Sequence, residues 1–297
     1  MWGFTGILGK LIKLDALAIV FHRVLIASIT LLIVLAILRV PLLIKNKKQV
    51  LYIALVGIIV GLHWLTFYHA IKLSTASLGI LCLSTTTIHV AWLEPIVMKR
   101  KFSWIELLLS LGVVYGIYFV SNDFDANELT ALVYGLTSAF LAACFAVFNA
   151  KFAETVSPGN ISFYEMLSAT LFLAVVLLSQ GRLNAELFVM TWSDFWWLLF
   201  LATLCTSFAF LATIEVVKRL GAFTVSLSIN LEPVYTIILA VIILNEHELL
   251  NSNFYIGAVL IVLIVLLNAL LKSKWFKNKL NKNHLANRED LKKKKIM

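Results

Sequence analysis

Glu232, Arg23, His22, His63 and His89 stand inside long apolar runs of this chain, and these are the foremost positions where chemistry is possible. Glu232-Pro233 lies about ten residues into the run 221–244, or about 15 Å along a helix rising 1.5 Å per residue. Pro233 has no N–H, so the carbonyl of Ile229 loses its helical donor. A carboxylate beside a freed carbonyl suits a cation, a proton or a substrate amine. The plainer alternative is a kinked helix in which Glu232 is protonated or paired with a neighbouring helix. Asn230 and Tyr235 flank the dipeptide and are candidates to line the same cavity. Glu94-Pro95 repeats the dipeptide near the end of its own run, three to seven residues before Lys99-Arg-Lys. There Pro95 reads as a helix kink and Glu94 as an interfacial partner of the basic cluster, with a substrate role as the alternative.

His22-Arg23 lies about eight residues into the run 15–38. An arginine at that depth must face polar company or snorkel outward. It either holds an anionic group or a gate, or fixes helix packing through a buried ion pair. His63-Trp64, with Phe67, Tyr68 and His69, reads as an aromatic belt at the membrane surface or as one wall of a substrate cavity. His89 and the hydroxyl run Ser84-Thr-Thr-Thr87 fall at mid-run, where hydroxyls bond back to helix carbonyls or line a cavity. Asn149, near the end of its run, reads as structural.

Covalent catalysis has little foothold. The sequence holds no HExxH, Walker loop, GxSxG or GxGxxG. Cys82, Cys144 and Cys205 sit in apolar runs without metal-ligand or CxxC spacing. No catalytic residue, cofactor or metal is assigned, and nothing within the chain would use ATP. Secondary transport or facilitated movement remains.

The elements that must position these residues follow from composition. Of 297 residues, 61% are hydrophobic and 14% charged, against about 45–50% and about 25% in soluble domains. Mean hydropathy is +0.94. Crossing a bilayer takes about 20 apolar residues, and runs of that kind are expected near 15–38, 51–71, 75–98, 103–120, 130–150, 161–179, 195–214, 221–244 and 254–271. Met1 to Ile12 is apolar but too short to cross. It is either a half-helix or the end of a first helix that begins upstream of this start. The repeated Gly57-x-x-x-Gly61 and Gly112-x-x-x-Gly116 permit close helix approach.

Loop charge sets the expected orientation. Basic residues crowd alternate connections: Arg39, Lys45, Lys47 and Lys48, then Lys99-Arg-Lys101, Lys151, and Lys218-Arg219. Ten of the 25 basic residues follow Leu271. The intervening connections carry Lys13, Lys72 and Arg182 with Asp123, Asp125, Glu128 and Glu186. The positive-inside rule puts the basic set and both termini in the cytoplasm. The tail 272–297 reads as an anchor on anionic lipid rather than a nucleic-acid site. The segment Ala70-Ile-Lys-Leu-Ser-Thr-Ala-Ser-Leu resembles Glu215-Val-Val-Lys-Arg-Leu-Gly-Ala-Phe at an offset of about 145, which also pairs Gly112 with Gly257. With the charge switch between Lys99-Arg-Lys and Asn245-Glu-His-Glu, this suggests two five-helix repeats of opposite orientation.

Trp2-Gly3, Arg23 and Ala70-Ile-Lys-x-Ser-x-Ala-Ser, then Arg219-Leu-Gly-Ala, Leu231-Glu-Pro-Val and Leu244-Asn-Glu246, resemble the EamA family of the drug/metabolite transporter superfamily. The resemblance implies an all-α membrane protein of about ten spans, the first truncated. Its inverted repeats would be 1–121 and 130–271, in a prokaryotic cytoplasmic membrane. It implies export of amino acids, related metabolites or toxic compounds by alternating access, with Arg23, Glu232 and Pro233 at family positions. Two departures stand out: Trp2-Gly3 would normally fall mid-helix, and a proline expected near Thr87 is absent. The expected partners are a small-molecule substrate, the bilayer and a coupling proton or ion. The competing readings are a non-transporting receptor or assembly subunit, and an intramembrane lipid-modifying enzyme.

Overall fold

Apolar runs leave backbone groups with no partner in lipid except within a helix, and helices are what the computed structural model contains. It describes residues 3–99, 101–121, 124–209, 232–268 and 270–271, and among them there is no strand. The order is α1 (Phe4–Leu11), α2 (Ala16–Ile37), α3 (Lys47–Leu73), α4 (Ala76–Ser84), α5 (Thr86–Met98), α6 (Trp104–Ser121), α7 (Ala126–Phe152), α8 (Pro158–Ser179), α9 (Trp192–Ala202), α10 (Glu232–Leu244) and α11 (Ser252–Asn268). Short polar side chains start the helices. Asp15 accepts from Leu17 and Ala18 N–H at 3.0 and 3.2 Å. Asn46 and Ser157 do the same for α3 and α8, and Asp125 with Glu128 forms a capping box on α7.

Five stretches are long and apolar enough to cross a membrane: 16–37, 47–73, 76–98, 126–152 and 158–179. Their outer faces carry Ile33, Val133, Val175 and Leu178, each more than half exposed. Such faces suit contact with lipid. The chain is a multi-pass membrane protein. Helix α1 has eight residues, too few to cross by itself.

The run 75–98, expected as one helix, is two. The Ser84 and Thr85 hydroxyls donate back to the Leu81 and Cys82 carbonyls at 2.5 and 2.6 Å. This competes with the helical ladder, and α4 stops where α5 starts. A second irregularity follows α9, where Thr203–Phe208 widens into a π turn. The Thr206 and Ser207 hydroxyls each reach a carbonyl five residues back, at 2.8 and 3.0 Å.

Helix α3 is central, packed against α7 and α8, with α2 on α8 and α4 and α5 on α7. Small residues bring these helices close, as the glycine spacing predicts. A Cβ on Gly57 would enter the Glu165 backbone and the Ser168 side chain of α8, and one on Gly61 would meet Ala169 at 3.4 Å. Gly116 and Gly257 lie against each other's helices, joining α6 to α11.

The end of the bundle away from the basic connections is stitched by polar links. Lys13 N–H donates to Asp194 at 2.8 Å, and Arg182 pairs with Asp15. Lys72 donates to the Ile12 carbonyl and Lys10 to that of Ser74. Glu246, 2% exposed, accepts from the Ala76 and Ser77 N–H groups at 2.7 and 3.0 Å, capping α4 from the far side of α10. At the other end, links tie the α2–α3 connection and the start of α3 to α8 and its approach: Asn160 to the Pro41 carbonyl, Tyr164 to that of Leu42, and Gln49 to Thr155.

Candidate functional site

Seven residues into α2, Arg23 is 2% exposed. A guanidinium keeps its charge under any physiological condition, so burial must supply compensating partners. Here they are neutral. Arg23 Nε donates to Thr206 Oγ1 at 2.9 Å and an Nη donates to Tyr68 OH at 3.1 Å. The Trp64 ring covers the guanidinium at 3.7 Å, a cation–π contact. Tyr68 OH donates in turn to the Thr5 carbonyl at 3.4 Å, and Thr206 is aimed by the π turn. Helices α1, α2, α3 and the turn after α9 thus converge on one cation. Among the described residues Arg23 makes no ion pair.

His22 faces elsewhere. Its Nδ1 lies 2.8 Å from the Ala18 carbonyl and its ring meets the edges of Phe21 and Phe188. His63 and Trp64 are 5% exposed, which corrects the surface-belt reading. Trp64 is the lid on Arg23. His63 pins α3 to α7: its Nδ1 is 2.9 Å from both the carbonyl and the hydroxyl of Ser138, and its ring packs on Phe145. His89 is half-buried on α5, edge-on to Phe140, while Trp92 stacks on the same ring. Pro95 lies inside α5, which runs on to Met98.

Glu232 opens the described part of α10, half-buried, with Tyr235 38% exposed and Gly3 packed against it. Asn230, and Ile229 whose carbonyl Pro233 would release, lie outside the described residues, as do Lys218-Arg219 and the tail 272–297. Helix α10 packs on α4 and α1. The described contacts do not join Glu232 to Arg23.

Sequence reasoning misses three buried polar groups. Thr206 carries no signal, lying 183 positions from the arginine that it serves. Glu246 stands out only as part of a motif, not as the cap on α4. Glu165 does not stand out at all. It is 0% exposed on α8 and accepts from Asn149 Nδ2 at 3.2 Å. A signal exists for it: an acid within an apolar run, matched by an amide near the end of the preceding run.

The EamA-like transporter family model matches residues 1–122 and 129–270. No curated protein matches the chain. A crystal structure is similar in fold over 92% of this chain and 94% of its own, with a TM-score of 0.64 at 14% sequence identity.

Proposed function

Because this chain belongs to the EamA-like transporter family, we propose that it exports small metabolites bearing an anionic group, such as amino acids and related or toxic compounds, by alternating access across a cytoplasmic membrane. The observation that carries this reading is the Arg23 cage. A charge at membrane depth costs about 2.5–3.5 kcal/mol on insertion scales. Two hydroxyls and an indole hold this one with no carboxylate among the described residues. Such a cation is poised for a substrate's negative group, and the indole face suits an apolar portion beside it.

Ten spans in two inverted five-helix repeats, 1–121 and 130–271, give the machinery on this reading. Basic connections and both termini face the cytoplasm. The polar links of Lys10, Lys13, Lys72, Asp194 and Glu246 then close the outer end below which Arg23 lies. Rocking of the repeats would break them and open the site outward. Glu232, with Asn230 and Tyr235, supplies the opposing wall and a group able to exchange a proton. His22, His63 and His89 act as packing or lining groups around it.

The test compares compounds released by cells expressing the wild type, Arg23→Gln and Glu232→Ala at equal membrane abundance. A charge-assisted hydrogen bond is worth about 1.5–3 kcal/mol, so Arg23→Gln is expected to lower release of an anionic compound roughly ten- to a hundredfold. Equal release from wild type and Arg23→Gln would remove Arg23 from the path. Release indistinguishable from empty cells, across media and toxic challenges, would overturn export.

A further inference from the structure

The Glu165–Asn149 contact leaves a matched pair of unmet needs. Asn149 Nδ2 donates to Glu165 Oε2 at 3.2 Å. Glu165 Oε1 and Asn149 Oδ1 are both buried and neither has a hydrogen-bond partner. Two acceptors cannot satisfy each other, and buried acceptors without donors are costly. One added proton resolves both: a carboxyl O–H on Glu165 can donate to the amide oxygen while the amide N–H donates back. Turning the Asn149 amide over does not remove the need. The amide oxygen would then face the carboxylate, and a carboxyl proton could again bridge them.

Among the described residues the surroundings offer no other source of positive charge. On α7, Lys151 is exposed and Cys144 is half-buried. On α3, the helix approaches Glu165 through Gly57, which contributes no side chain; Lys47, Lys48 and Tyr52 are exposed and His63 is bonded to Ser138. On α2, Arg23 faces Trp64, Tyr68 and Thr206, and His22 faces Phe21 and Phe188. On α8 itself, Tyr164 donates to the Leu42 carbonyl. A metal ion would need about six oxygens, and the described residues hold no cluster of three acidic, histidine or cysteine side chains.

We propose that Glu165, paired with Asn149, is an exchangeable proton-binding site between α7 and α8, separate from Glu232. Asn149 stands three residues before the end of α7, and Glu165 seven residues past the start of α8. The site therefore lies about 5–10 Å along its two helices from the end that carries the basic connections, at 1.5 Å per residue, and takes its proton from that side. It stands whether or not the chain exports anything, since its ligand is the proton.

The test is infrared difference spectroscopy on the purified full-length protein in lipid nanodiscs, titrated from mildly acidic to alkaline. The wild type is expected to show the carbonyl stretch of a protonated carboxyl that shifts in D2O, fades reversibly as pH rises, and is absent from Glu165→Gln. Glu232→Gln should leave that band in place. Should Glu165→Gln fail to accumulate, Glu165→Asp must instead move the band. Identical wild-type and Glu165→Gln spectra, or an Asp variant with an unmoved band, would show that Glu165 is ionised and overturn the site. A Glu165-dependent band that neither exchanges in D2O nor titrates would also overturn it, leaving a locked structural acid.

Discussion

Arg23 and Glu165 sit in the same bundle, both essentially removed from solvent, and the fold treats them in opposite ways. Arginine cannot shed its charge, so four elements converge to give it an indole face and two hydroxyls. Glutamate can become neutral, and its neighbourhood offers one amide and a glycine. The cation is built for, whereas the acid is left to a proton. The contrast teaches that a buried ionisable group is assigned a role less by its depth than by whether its partners satisfy the charged form.

The strongest way to break the contrast is to remove the built-for charge. Arg23→Ala leaves a cavity under Trp64 and strips partners from Tyr68 and Thr206. Large-to-small changes in packed interiors cost about 2–5 kcal/mol, with further loss from stranded hydroxyls. We expect a loss of stability near the upper half of that range, read from unfolding of the purified protein in mixed micelles. A loss below about 1 kcal/mol would mean that the cage is loosely held and that the charge is not organising α1, α2, α3 and the π turn.

A smaller effect is expected on the other side of the comparison, at Gly57. Its Cβ position is occupied by the backbone of Glu165. Gly57→Ala must push α3 from α8, an overpacking that costs about 1–3 kcal/mol, and it should disturb the Glu165 carboxyl band while lowering release of an anionic compound less than Arg23→Gln does. Gly61→Ala, whose Cβ meets only Ala169 at 3.4 Å, should be milder in the same assay. Equal effects at the two glycines would mean that the close contact at Glu165 is not specific.

Much of the helical frame is legible in the amino-acid sequence. The runs near 15–38, 51–71, 130–150 and 161–179 correspond to α2, α3, α7 and α8 within a few residues, because backbone groups in lipid have no other solution. Arg23 stands out because a charge inside an apolar run is expensive wherever the chain folds. Its partners do not: Tyr68 is 45 and Thr206 is 183 positions away, and only packing reveals them. The break at Ser84 and Thr85 is half legible, since back-bonding hydroxyls are expected there but not the end of a helix. Glu165 escapes notice because a run starting at 161 places an acid in its first turns, where it looks interfacial. With α8 starting at Pro158, and with Gly57 drawing α3 against it, the same acid is sealed.

The smallest difference is expected from Glu165→Gln at acid pH, and the comparison turns on how it grows. Glutamine reproduces the neutral acid's donor and acceptor toward Asn149, so under acid conditions the two proteins should agree in stability within about 0.5 kcal/mol, the usual range for a change that leaves interactions intact. As pH rises, an unfolded glutamate loses its proton while the folded Glu165 keeps it. The folded state then binds more protons than the unfolded one, and stability falls with pH. The variant has no such proton. Its advantage should therefore widen by up to about 1.4 kcal/mol per pH unit until the folded protein releases the proton too. Parallel pH profiles for the two proteins would mean that Glu165 carries the same charge folded and unfolded. The acid would then be held as Arg23 is, by partners that satisfy its charge.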